Sequence, residues 1–256
     1  MILAIDVGNT HIVLGGFDRD TIRFTSRLAT DRLKTGDEYA VLIDNALTLC
    51  HIDPADIEGA ILSSVVPPLK RAISEAIRII TGHECLIVGS GIKTGLNILI
   101  DNPAQLGSDR VVDAVAALAE YPPPILIFDL GTATTISAID KNGNFLGGMI
   151  IPGVMVSLDA LASRTAQLPH ISLDLPRRMI GTNTEDCMKS GVLYGNAAMI
   201  DGIIDRAARE LGTIPTVVAA GGLAKTIVPL CERPIILDDS LTLKGLRILY
   251  EKNRKR

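Results

Sequence analysis

One turn, written twice, constrains this chain more than any other feature. "MILAIDVGNT" opens it, and "ILIFDLGTAT" returns at residues 125–134. Each is an apolar run, then Asp, one apolar residue, Gly and a small polar residue. A carboxylate at the end of a buried strand is costly unless something pairs with it. The repetition predicts that Asp6 and Asp129 end matched strands in two copies of one unit, and that they face each other across a nucleotide cleft.

The flanking segments repeat as well. Residues 2–5 read as a strand ending at Asp6. "HIVLGGFD" and "TIRFTSRLA" follow, with a hairpin turn at Asp18-Arg19-Asp20. Residues 36–49 carry apolar positions at helical spacing. "GAILSSVVPPLKRAISEAIRII" reads as a buried strand, a turn, and a helix that Pro67 and Pro68 suit as a start. The second half restates this order. "ILIFDLGTATTISAIDKNGNFLGG" gives two strands and a turn at Lys141-Asn142-Gly143. "TVVAAGGLAKTIVPL" then gives a strand, a small-residue turn and a helix. The linking helix is "DRVVDAVAALAEY", closed by Pro122, Pro123 and Pro124. The expectation is an α/β protein of two ribonuclease H-like domains, 1–115 and 116–256, produced by internal duplication on the actin-like ATPase plan.

Composition narrows the function classes. Of 256 residues, 47% are hydrophobic and only 3% aromatic, with no Trp. A protein that stacks nucleic-acid bases needs more aromatic surface. The net charge of -4 gives no reason to expect a polyanion. The one basic cluster, "EKNRKR", reads as a solvated tail. Cys50, Cys85, Cys187 and Cys231 form no CxxC pair, and with four scattered histidines they show no zinc spacing. Asp6 interrupts the first apolar run, and no run reaches the length of a membrane span. The expectation is a cytoplasmic protein without nucleic-acid or membrane partners.

The turns carry the chemistry. In "DVGNTHIV", Gly8 allows a tight turn and close backbone approach to a ligand. Asn9 and Thr10 add side-chain donors, and successive N–H groups can cradle an anion. Asp6 would repel phosphate directly, so it is expected to hold a hydrated magnesium ion bridging phosphate oxygens. In "DLGTATT", Asp129 and Gly131 replace Asp6 and Gly8, with Thr132, Thr134 and Thr135 as hydroxyl donors. Either turn alone would also fit a hairpin whose polar residues bond only themselves. The coupled pair is far more specific. In "AAGGLA", Gly221 and Gly222 would let a base or ribose lie against the backbone.

"DNPAQLGSDR", residues 101–110, has another character. Ser108 is a candidate N-cap, which places Asp109 and Arg110 in a first helical turn. Asp109 there suits either the helix dipole or the proton of a substrate hydroxyl. Arg110 suits a carboxylate or phosphate.

Together these stretches resemble the type III pantothenate kinases. The resemblance runs through "DVGNTHIV", "SVVP", "GIKTGLNI", "DNPAQLGSDR", "DLGTATT", "GGMIIPG", "RTAQLP", "GTNTEDCMKSGVLYG", "AAGG" and "LTLKGLR", in that order. It implies ATP-dependent phosphorylation of pantothenate, the first step of coenzyme A synthesis, by a homodimer. ATP phosphates would be bound by Asp6, Val7, Gly8, Asn9, Thr10, His11, Ile12 and Val13, with Thr132. Gly107, Ser108, Asp109 and Arg110 would line the pantothenate site, with Asp109 as proton acceptor. Thr184 would contact pantothenate, in some members from the partner subunit. Asp129 would hold a monovalent cation, potassium or ammonium. Two departures stand out. Ile100 occupies a substrate-contact position that is Tyr in many relatives, and Ser108 replaces the usual Ala. The same fold also serves other phosphotransfer reactions, and members of the family have been linked to transcriptional regulation. Intact Asp6, Asp109 and Asp129 favour catalysis.

Overall fold

A computed structural model describes residues 1–254. The expected basic tail falls partly on Lys255 and Arg256, which lie outside the described residues. In chain order the first elements are β1 (Ile2–Val7), β2 (His11–Asp18), β3 (Thr21–Ala29), α1 (Gly36–Leu49), β4 (Gly59–Ser64), α2 (Pro67–Thr81), β5 (Cys85–Ile87), β6 (Asn97–Ile98) and α3 (Ser108–Glu120). There follow β7 (Ile125–Leu130), β8 (Ala133–Ile139), β9 (Asn144–Pro152), α4 (Val154–Arg164), α5 (Thr184–Leu211), β10 (Thr216–Ala220), α6 (Ala224–Ile227), β11 (Ile236–Leu237) and α7 (Leu241–Asn253).

The first sheet has the order β3-β2-β1-β4-β5. Side chains alternate across a strand, and both faces of β1 are covered, so it reads as a nearly unbroken apolar run. Leu3, Ile5 and Val7 pack with Tyr39, Ile43 and Leu47 of α1 and with Leu69, Ile73 and Ile77 of α2. Ile2 and Ala4 pack on the other face with Val112 and Val115 of α3 and with Leu243, Leu246 and Leu249 of α7. The strand does not stop at Asp6. It runs one residue further, because Asp6 pairs with Val13 on one side and Ser63 on the other.

Local signals explain the helix ends. Thr35 accepts from the Glu38 N–H while the Glu38 carboxylate accepts from the Thr35 N–H at 2.8 Å, a reciprocal capping box. Helix α2 starts at Pro67 and ends at Gly82 with φ 72°, a left-handed stop that favours glycine.

The second sheet has the order β11-β10-β7-β8-β9-β6. Its first five strands repeat the first sheet strand for strand. In each, the Asp-bearing strand pairs antiparallel with the next strand and parallel with a later one. The predicted duplication of an α/β ribonuclease H-like unit is therefore the architecture found. Helix α5 covers one face, with Met188, Val192, Leu193, Ala197, Ile200 and Ile204 packed on Leu126, Phe128, Leu130 and Ile136. The helix expected after β10 is only four residues long and gives way to a 3-10 turn at Val228–Leu230. Pro229 lacks an N–H and blocks continuation.

The chain forms two compact units: 1–96 with 102–116 and the segment from 241 on, and 97–101 with 117–240. These differ from the single cut between 115 and 116 that the sequence suggested. Helix α7 returns to the first sheet because its apolar stripe is buried there. Residues 97–98 add a strand to the second sheet, where Asn97 Nδ2 donates to Asn144 Oδ1 at 2.7 Å. Among the described residues, no helix is long and apolar enough to cross a membrane.

Candidate active site

In the first unit the turn after β1 is fixed from outside. The Gly8 N–H donates to the His11 carbonyl at 2.9 Å. The Thr30 hydroxyl donates to the Gly8 carbonyl at 2.8 Å, and the Thr30 N–H to the Thr10 carbonyl at 3.0 Å. Arg32 donates to Asn9 Oδ1 at 2.9 Å. The expected N–H cradle therefore loses its first member, since the Gly8 N–H is spent within the turn. Asn9, Thr10 and His11 are exposed, whereas Val7 and Ile12 belong to the core. What those two offer a ligand is backbone.

Asp6 lies beside Ser63 in the parallel β1–β4 pair. Ser63 is fully buried, and its hydroxyl stands 3.1 Å from the hydroxyl of Ser108. Ser108 also donates to the Ser64 carbonyl at 3.3 Å. This overturns the N-cap expectation. Helix α3 already includes Ser108, the Val111 N–H reaches the Gly107 carbonyl at 3.3 Å, and the Ser108 side chain is turned onto β4. The motif at 107–110 is thus fastened to the strand next to Asp6.

Asp109 Oδ1 accepts from the Arg110 N–H at 2.8 Å and folds back over Gly107. Any Cβ at 107 would overlap that carboxylate oxygen, so a larger residue there would have to turn the Asp109 side chain aside. Burial pulls the Arg110 guanidinium below its ordinary pKa, while nearby Asp109 acts in the opposite direction. Arginine keeps its charge across the physiological range regardless. The preceding "DNP" forms a turn in which Asn102 Oδ1 accepts from the Ala104 N–H at 3.2 Å. Asp113, one helical turn beyond Asp109, is buried and accepts from the Thr242 hydroxyl at 2.7 Å.

In the second unit Asp129 pairs across strands with Thr135 and Ala220. The matching turn is one residue shorter: the Gly131 N–H reaches the Ala133 carbonyl at 3.2 Å. Gly221 has φ 94°, and a Cβ there would lie 2.5 Å from Asp129 Oδ1 and 2.6 Å from the Leu130 nitrogen. Asp129 thus sits in a cradle that one methyl group would fill. Its hard oxygen donors fit a hard cation. A Cβ on Gly222 would meet nothing within 4 Å, which leaves that backbone open to a flat group. Of the expected hydroxyl donors, Thr134 is buried and its oxygen has no partner, so it does not present a donor to a ligand. Ile100 packs at the second sheet, with its Cγ2 3.7 Å from where a Gly147 Cβ would stand. Among the described residues, no three or more His, Cys, Asp or Glu gather as metal ligands. A hydrated magnesium ion needs only one or two carboxylates besides phosphate oxygens, and Asp6 can supply one.

At α5, Asn183 caps the helix by accepting from the Asp186 N–H at 2.8 Å, and the exposed Thr184 is its first residue. A groove of about 510 Å³ runs between α4 and α5, lined by Leu161, Leu168, Thr184, Met188 and Val192 among others. Gly191 and Gly195 are exposed, and a Cβ on either would meet nothing within 4 Å. Packing within this chain does not require them.

The sequence-family model of type III pantothenate kinases matches residues 2–206. The chain belongs to the type III pantothenate kinase family. A type III pantothenate kinase of Exiguobacterium sp. strain AT1b is 46% identical over 255 residues, covering 100% of both chains. Among solved structures, one described as a conserved putative Baf family transcriptional activator from Campylobacter jejuni superposes with a TM-score of 0.62 at 18% identity, covering 98% of both chains. A putative 2-dehydro-3-deoxygalactonokinase from Sinorhizobium meliloti gives 0.60 at 15% identity, covering 100% of this chain and 98% of that one. At such identities the likeness concerns the fold alone.

In this member of the type III pantothenate kinase family, sequence reasoning missed three supports of the two turns. Ser63 was signalled only by two serines ending an apolar strand. Thr30 lies beyond the second strand of the hairpin and had no local signal. Gly153, last in "GGMIIPG", caps α4, donates its N–H to the Thr132 carbonyl at 3.2 Å, and would overlap that oxygen if it bore a Cβ.

Proposed function

We propose that this protein transfers the γ-phosphoryl group of ATP to the primary hydroxyl of pantothenate, giving 4′-phosphopantothenate, the first step of coenzyme A biosynthesis. The observation that carries the reading is the Ser63–Ser108 contact, which puts the Asp109 turn on the strand beside Asp6.

In this reading residues 6–13 and Thr132 bind the ATP phosphates, and Gly221 and Gly222 accept the adenosine. Asp6 would hold magnesium through water, and Asp129 would hold potassium or ammonium. These cations neutralise charge on the phosphates when bound. Asp109 accepts the proton of the pantothenate hydroxyl as its oxygen attacks phosphorus and the ADP oxygen leaves. The Arg110 N–H fixes one carboxylate oxygen and leaves the other for the substrate. Phosphoryl transfer is largely dissociative, so aligning the hydroxyl matters more than strong basicity. The Arg110 guanidinium pairs with the pantothenate carboxylate. Gly107 and Ser108 line the same site, and Ile100 gives it an apolar contact.

We also propose a homodimer in which Thr184 reaches pantothenate. The exposed glycines of α5 and the adjoining apolar groove support it. The proposed location is the cytoplasm, whose reducing conditions suit four unpaired cysteines.

The test is ADP release with and without pantothenate, using wild type and Asp109→Asn. Loss of a positioned general base lowers turnover about 10²- to 10⁴-fold. A folded Asp109→Asn protein working at the wild-type rate removes Asp109 from its role. A wild type that ignores pantothenate removes the whole reading.

A further inference from the structure

Between α4 and α5, residues 165–183 form no helix or strand. Leu168, Ile171 and Leu173 anchor the first part by packing against the second core. Past Leu173 the apolar anchorage thins to Pro176. Leu175, Met179 and Ile180 are exposed. What holds this part is largely polar, and it converges on the first turns of α5. Lys189 is buried on α5, with its Nζ 2.8 Å from Asp174 Oδ2 and 2.7 Å from Glu185 Oε1. The neighbouring Ser190 hydroxyl donates to the Met179 carbonyl. Gly181 lies so close to the helix that a Cβ would stand 2.5 Å from the Cys187 nitrogen and 2.7 Å from the Asp186 carbonyl carbon.

We propose that Lys189 is a positioning residue for the acceptor site: by joining Asp174 to Glu185 it clamps residues 174–183 onto α5 and so sets where Thr184 stands. The inference rests on reading Thr184 as a pantothenate contact. The chemistry explains why a lysine is used. A buried ammonium must find anionic partners, and here it finds one on the strap and one on the helix, a turn before itself. Both acids are largely solvated, with side chains 62% and 55% exposed, so the pair contributes geometry more than stability. Among the described residues, no other ion pair involving Asp174 or Glu185 duplicates the link.

The experiment compares wild type, Lys189→Met and Lys189→Arg. Methionine keeps much of the stem and loses the charge. Misplacing a substrate contact by a fraction of an ångström costs about tenfold. The expected result is a pantothenate KM raised by about that factor, with kcat and the ATP KM unchanged, and recovery in Lys189→Arg. Trypsin reads the strap without turnover, because Arg177 and Arg178 are exposed on it. Cleavage there should quicken in Lys189→Met and slow again in Lys189→Arg. An unchanged pantothenate KM in an active Lys189→Met enzyme overturns the positioning role alone. So does a lowered kcat with both KM values raised alike and a lowered Tm, which marks a merely structural lysine. A wild type inert toward pantothenate fails at the earlier step and takes this role with it.

Discussion

The Ser63 and Ser108 hydroxyls meet at 3.1 Å, and that contact fastens the first turn of α3 to the strand beside Asp6. Ser108→Ala should leave kcat within about threefold and cost about 1 kcal/mol, the usual worth of a lost buried hydrogen bond. For a domain of this size that lowers Tm by about 2–4 °C. Thermal melts beside steady-state rates check both halves of the expectation.

Gly107 gives a sharper result. A methyl group there would overlap Asp109 Oδ1, so Gly107→Ala must move the carboxylate or the turn. Turnover should fall about 10²-fold, the order expected when a reacting group is displaced by an ångström. Circular dichroism should remain that of wild type. A wild-type kcat would show that the Asp109 rotamer is immaterial.

Gly221 and Gly153 support the second turn differently. Gly221→Ala adds strain at φ 94° and a contact 2.6 Å from the Leu130 nitrogen, so it should destabilise by about 1–3 kcal/mol. Gly153→Ala presses on the Thr132 carbonyl and should raise the ATP KM more than the pantothenate KM. Denaturant melts and separate substrate titrations distinguish the two effects.

Burial pushes the Cys85 thiol up to about 12, and the Cys231 thiol up to about 11. An ordinary thiol titrates near 8.5, so at pH 8 the thiolate fraction of Cys85 falls by about three orders of magnitude. Peptide mapping after timed alkylation of native protein should find Cys85 modified last, with Cys231 also slow. Rapid labelling of Cys85 would contradict its raised thiol pKa and half-buried setting.

The strap has a pH signature. Hydrogen bonds from Lys189, then Ser172, hold the Asp174 carboxyl below its ordinary pKa. Its stabilisation is therefore present above the unfolded carboxylate value and lost as pH falls through the depressed one. Hydrogen bonds to Asp174 and Glu185 raise Lys189 above the usual lysine range. That contribution is present below the unfolded lysine pKa and lost only as pH rises through the higher folded one. Hydrogen exchange at residues 174–183, corrected for intrinsic rates, should stay level through neutral pH. Wild type and Lys189→Met should converge only below the carboxylate range.

Much of the scaffold was legible from one-dimensional pattern. The strands around Asp6 and Asp129 are apolar runs ended by turn residues, and α1 announces itself by apolar positions at helical spacing over residues 36–49. The placement of α7 was not legible. Its stripe of Leu243, Leu246 and Leu249 says that it must be covered, but not by which sheet. At the site, the acidic residues and glycines could be named because few other residue types suit those turns. Ser63 and Thr30 could not, since each acts through a partner more than twenty residues away. Ser108 was misassigned for a related reason: the local rule for helix starts competes with a distant serine, and the distant serine prevails.

The return of α7 to the first sheet also orders events during translation. On the ribosome, the first unit to begin is the last to be finished. Until residues 241–253 emerge, Ile2, Ala4, Phe17 and Ile61 lack part of their cover, while every segment of the second unit is already available. A nascent chain halted just short of its final helix would carry an oily, chaperone-attracting face on its N-terminal half.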